Sequence, residues 1–127
     1  DVLGCGLEGA TAHRLADAFA EPAIRDVCRR LGPGLRALAH PSDREEPRAD
    51  LALLLCGWSD LVMYTKAYNT LEAPQVANAV MWLHARCHEL GVPTVAIGLP
   101  DIGASPDAQV RRGLVNRELA GWTAGGK

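Results

Sequence analysis

Gly57-Trp58-Ser59-Asp60 places a glycine, a large aromatic, a hydroxyl and a carboxylate directly after the apolar run Leu51 to Cys56. Ligands of parallel α/β sheets bind beyond the carboxyl ends of the strands, so these side chains stand where a cleft is expected. A serine there can act as a nucleophile or as a hydrogen-bond donor to a reacting carbonyl. The same residues also fit a plain strand-to-helix turn in which Ser59 or Asp60 is an N-cap. Pro100-Asp101-Ile102-Gly103, after the second apolar run, is the other candidate cleft loop. His84 and His88 are one helical turn apart, a spacing that can chelate zinc, but Ala85 stands in place of the Glu of His-Glu-x-x-His. By helical angle the pair flanks an apolar stripe and reads as a polar edge, so no metal is expected. Gly4, Gly6 and Gly9 have the spacing Gly-x-Gly-x-x-Gly, yet only two residues of strand precede them and no strand carries an acid about twenty residues on. That argues against a dinucleotide, and no other cofactor is implied. Glu45-Glu46 beside Arg44 and Arg48 reads as a solvated charge cluster. Tyr64 and Tyr68 suit packing, or a pocket shared with Trp58.

The elements that must hold these residues follow from hydrophobic spacing. Ala12, Leu15, Ala16, Phe19 and Ala20 predict a helix over 10–20 with Thr11 as N-cap. Pro22 at a first helical position, followed by Ile24, Val27, Cys28 and Leu31, predicts a second helix that stops at Gly32-Pro33-Gly34. Leu35 to Ala39 suits a further turn of helix, and 40–47 a surface loop. Leu51 to Cys56 shows no alternation and reads as a strand buried on both faces, the habit of parallel sheets. Val76, Val80, Leu83, Cys87 and Leu90 give a helix over 74–90 stopped by Gly91. Val92 to Leu99 reads as a second buried strand, and a last helix runs from about Pro106 to Trp122, with Val110, Leu114 and Trp122 along its faces. This order predicts one α/β domain over 1–127, layered around a parallel sheet.

Composition agrees. The 127 residues suit a single domain, and 48% hydrophobic with 22% charged residues is ordinary for a globule. A net charge of −2 with scattered arginines draws the chain neither to nucleic acid nor to anionic lipid. No apolar run nears the ~20 residues of a membrane span. Four widely spaced cysteines, Cys5, Cys28, Cys56 and Cys87, read as reduced and mostly buried. The opening Asp1-Val2-Leu3-Gly4 has no initiator Met or leader and reads as a segment entered in mid-domain, so its missing signals leave the location unknown.

Four blocks in order carry a resemblance: Gly6 to Thr11 opening a helix, Asp50 to Leu61, Gly91 to Pro100, and Arg112 to Leu119. Together they resemble the SGNH hydrolases, the GDSL-type esterases and lipases, over nearly the whole chain from the family's second block to just before its last. The resemblance implies a three-layer α/β/α, flavodoxin-like parallel sheet, incomplete here at both ends, and hydrolysis of a small-molecule ester by a serine nucleophile with an Asp-x-x-His pair. It further implies an oxyanion hole in which Gly9 matches the second-block glycine and Ser59 stands where the family has Asn. A hydroxyl can still donate one hydrogen bond there, though it is shorter than an amide. Trp58 and Asp60 become candidate substrate-binding residues. No Gly-Asp-Ser occurs in the chain, and none of His13, His40, His84 and His88 has Asp three residues before it, so the expected nucleophile and acid-base pair lie outside 1–127. Without the family's central first strand, the segment alone is expected to be marginal or aggregation-prone.

Two other readings stay open. Gly57-Trp58-Ser59-Asp60-Leu61 also resembles the α/β-hydrolase nucleophile elbow, with Ser59 as nucleophile and Asp101 as acid, but Leu61 replaces the second glycine and no histidine follows Asp101. The other is a non-catalytic α/β domain that kept the scaffold, for which Ser59 in place of Asn is the sequence hint.

Overall fold

The computed structural model describes residues 10–25, 28–39, 49–62, 72–101, 103 and 105–125. Helix α1 (Ala12–Asp17) starts where expected, with the Thr11 hydroxyl accepting the Arg14 amide at 3.1 Å. The helix expected from Pro22 is instead an antiparallel pair, β1 (Ala23–Arg25) and β2 (Leu31–Pro33), with Ile24 opposite Gly32. Tertiary pairing overrides the helical spacing here. Arg29 turns the chain at φ 62°, and Gly34 closes the hairpin by bonding its amide to the Pro22 carbonyl. Only glycine fits at 34, because a Cβ would stand 1.8 Å from the Glu21 carbonyl oxygen. Helix α2 (Leu35–Ala39) is the short turn expected.

Strand β3 (Ala52–Leu54) leads through Gly57 into α3 (Trp58–Val62). Helix α4 (Ala73–Glu89) then crosses back to β4 (Thr94–Ala96), which pairs parallel to β3 with Leu53 beside Val95. At the start of α4 the Gln75 side chain accepts the Glu72 amide at 2.8 Å, and Pro74 sits in the first turn, where its missing N–H is harmless. Its stripe of Val76, Val80, Leu83 and Cys87 is fully buried, as the spacing predicts. Helix α5 (Pro106–Ala124) is capped by Ser105, but its buried residues are Ala108, Val115 and Leu119. Val110, at 65% exposure, and Leu114 point outward.

The described chain is thus mixed α/β with one antiparallel and one parallel pair of strands. One core cluster joins α1, α3, α4 and α5 through Ala12, Leu61, Val76, Val80, Val115 and Leu119. A second packs Leu54 of β3 against Phe19, Leu83, Cys87 and Val92. The strands are not buried on both faces. Leu54 is covered, whereas Leu51, Leu53 and Leu55 are 52–62% exposed, and Val95 and Ile97 are exposed beside them. Among the described elements, α5 packs chiefly on α4 and α3.

Truncation should separate the two faces. Leu83→Ala, at a fully buried site, is expected to cost about 2–5 kcal/mol in urea unfolding. Leu53→Lys should leave stability within about 0.5 kcal/mol while raising solubility. A larger loss from Leu53→Lys than from Leu83→Ala would show that the open face is covered in solution.

Candidate functional site

The turn after β3 is shaped by Gly57, whose φ of 106° lies where side chains are strained and whose added Cβ would meet Val76 Cγ1 at 3.1 Å. The chain there turns straight into α3, so Trp58, Ser59 and Asp60 form its first turn rather than a cap before it. Asp60 caps a different helix. Its Oδ2 accepts the Ala12 amide of α1 at 2.8 Å, a buried bond between residues 48 apart. The turn that carries Ser59 is thereby docked beside the residues that enter α1. Gly9, the other expected oxyanion position, lies outside the described residues, as do Cys5, Tyr64, Tyr68 and the 40–47 loop.

Asp60 is 7% exposed, and its Oδ1 has no hydrogen-bond partner. Burial pushes its carboxyl above the usual carboxylate range, while the amides of Ala12, Asp60 and His13 and the charge of His13 pull the other way. Trp58 is half-buried and packs against the larger core cluster, with its indole N–H unpartnered. Ser59 is half-buried. Cys56, just before the turn, is pushed up to about 12 by burial and by the Asp60 charge, so it stays a neutral thiol rather than a nucleophile. Cys87 is buried as expected, and its thiol is likewise raised by burial, but Cys28 is exposed.

Beyond the second strand, Asp101 is exposed. Its Oδ1 accepts the Gly103 amide and the Gln109 side chain, which hold its carboxyl below the ordinary value. This closes the β4–α5 loop on itself. Leu99 is fixed from α5: Asn116 accepts its amide at 2.8 Å and donates to its carbonyl at 3.1 Å, and Arg112 donates to the same carbonyl at 3.2 Å. Arg111 reaches the Leu61 carbonyl at 3.3 Å. The Arg112 to Leu119 block therefore acts here as a clamp on the backbone after β4, while Arg111, just before it, reaches α3. Nothing in its spacing announces which backbone groups it grips.

His84 is not a polar edge but a buried ring, 1% exposed and 5.4 Å from Trp122 between ring centres. Its Nδ1 lies 2.6 Å from Thr94 Oγ1, and His88 Nε2 lies 2.8 Å from the same oxygen. The Thr94 hydroxyl has one proton, so it can donate to only one ring and must accept from the other. This joint ties the end of α4 to β4. Burial, and then the charge of His88, lowers the His84 pKa. Among the described residues no group of three or more His, Cys, Asp or Glu is placed to hold a metal ion, and no helix is long and apolar enough to cross a membrane. A concavity of about 470 Å³ lies elsewhere, between α1 and the hairpin, lined by Arg14 and Arg25 together with Asp17 and Glu21. Its lining mixes cationic and anionic side chains. No protein-family model, curated protein or solved structure matches the chain.

Two pH dependences follow from these environments. The raised Asp60 carboxyl favours the folded state most when protonated, so that contribution is complete below the unfolded value of 3.8 and fades as pH rises through the folded one. Asp60→Asn keeps an acceptor for Ala12 without the charge. Its urea midpoint should exceed that of the natural chain at pH 7 and converge with it towards pH 3, and a gap that does not narrow would refute the burial account. His84 works in the opposite sense: with a folded pKa below 6.5, its contribution is intact above 6.5 and declines as pH falls through the folded value. In His84→Phe that part of the acid-side loss should vanish from the midpoint-against-pH curve.

Proposed function

We propose that residues 1–127 belong to an SGNH-type, GDSL-like ester hydrolase domain with a three-layer α/β/α parallel sheet. In this reading Gly9 and Ser59 occupy oxyanion positions, and a serine nucleophile and an Asp-x-x-His pair come from polypeptide outside these residues. The observation that supports it is the buried bond to Asp60 from the amide of Ala12, because it ties the residue directly after the first block of the resemblance to the second block. Two further blocks are joined by the grip of Asn116 on Leu99.

The chemistry asked of this chain is electrostatic. When a nucleophile adds to an ester carbonyl, the oxygen gains negative charge, and the Gly9 amide and the Ser59 hydroxyl donate hydrogen bonds to it. Glycine at position 9 lets the backbone approach the reacting group closely. Trp58 gives the turn an apolar flank, and the substrate class is a small-molecule ester. Such a reaction calls for neither metal nor cofactor.

The test is hydrolysis of p-nitrophenyl acetate by the complete protein in the presence of a chelator. Activity is expected, with Ser59→Ala lowering kcat by about 100- to 1,000-fold and Ser59→Asn retaining it. Hydrolysis that is indifferent to Ser59→Ala would remove Ser59 from the reaction. Absence of any ester hydrolysis would overturn the esterase reading in favour of a non-catalytic α/β domain.

A further inference from the structure

We propose that Asp60 is a positioning residue, whose buried carboxylate ties the turn bearing Ser59 to the first amide of α1 and so sets where the Ser59 hydroxyl lies relative to the chain entering that helix. This inference rests on the esterase reading above and adds to it the residue on which the placing of the Ser59 hydroxyl depends. Three features carry it. The bond is buried, 2.8 Å long and spans 48 residues, so it is a tertiary tie and not local capping. Ser59 and Asp60 are successive residues of one helical turn, so anchoring Asp60 fixes the rotation of that turn and with it the direction of its neighbour. Finally, the carboxylate is only 7% exposed, so it is held inside the fold against its desolvation cost. A carboxylate held in this state contributes something other than stability, and what it fixes is the turn.

A positional role differs from a stabilising one in its kinetics. Misplacing an oxyanion donor weakens the transition state and leaves the binding of ground-state ester nearly intact. In the complete protein, with p-nitrophenyl acetate as substrate, Asp60→Ala is expected to lower kcat by about 10- to 100-fold with KM within about threefold. Asp60→Asn, which keeps an acceptor for the Ala12 amide, should restore most of the loss. Thr11→Ala is the control, since it removes the Arg14 cap from the same helix but leaves the Asp60 tie in place. If Thr11→Ala lowers kcat as much as Asp60→Ala, or if Asp60→Asn fails to restore it, the positioning role is overturned.

A second readout does not depend on catalysis. In amide NMR spectra of the natural protein and the Asp60→Ala variant, the Ala12, Gly57 and Ser59 resonances should all shift, and the Ala12 amide should exchange with solvent at least about tenfold faster. A shift confined to Ala12 would show that the turn is held by other contacts and would overturn the proposal. If the protein hydrolyses no ester but these three amides move together, the esterase reading fails and the tie stands.

Discussion

The bond from the Ala12 amide to the Asp60 carboxylate is the contact through which the first helix and the strand-derived turn become one structure. Helix α1 has only six residues, too few to be stable by itself, so its position must come from tertiary contacts. Thr11 caps it locally, Asp60 caps it from 48 residues away, and Ala12 seats it in the larger core cluster beside Leu61 and Val76. A buried carboxylate is an expensive way to make such a contact. Desolvation raises its pKa, one oxygen is left without a donor, and the same charge suppresses ionisation of the Cys56 thiol nearby. The turn after β3 is therefore a place where a polar group is kept inside the fold against its solvation cost.

Around that contact, among the described residues, β3, α4 and β4 form a βαβ unit with α5 laid on it. Helix α4 does most of the packing because its stripe is continuous from Val76 to Cys87, meeting α1 and α5 on one side and β3 on the other. Its far end is joined to β4 by the two histidines that share the Thr94 hydroxyl. The chain after β4 is gripped by Asn116 and Arg112 from α5, so the strand end that leads to the Asp101 loop is held by side chains from outside the sheet. The opposite face of the parallel pair is different. Five leucine, valine and isoleucine side chains stand open there, whereas parallel sheets are ordinarily covered on both faces.

Much of this was legible in the sequence, and the legible parts share a physical cause. The α4 stripe, the Thr11 cap, the glycine after α4 and the parallel reading of the two apolar runs all depend on residues within a few positions of each other, where periodicity and capping chemistry act. The site was legible to the same extent: Gly57 to Asp60 does follow a strand and open a helix. The hairpin at β1 and β2 was not, because Pro22, Ile24, Val27, Cys28 and Leu31 have helical spacing, whereas the strand pairing and the Gly34 bond to Pro22 depend on two segments meeting across a turn.

By itself, then, the sequence determined which segments are helix or strand wherever one amphipathic period or one cap dominates, and which loop carries a hydroxyl beside a carboxylate. Tertiary structure alone decided that Asp60 faces α1 rather than capping its own helix, that His84 lies inside while His88 lies outside, and that one face of the strands stays open. These outcomes depend on which amide, hydroxyl or helix arrives from tens of residues away. Hydrophobic pattern reports how much a residue gains from burial, but not which partner buries it.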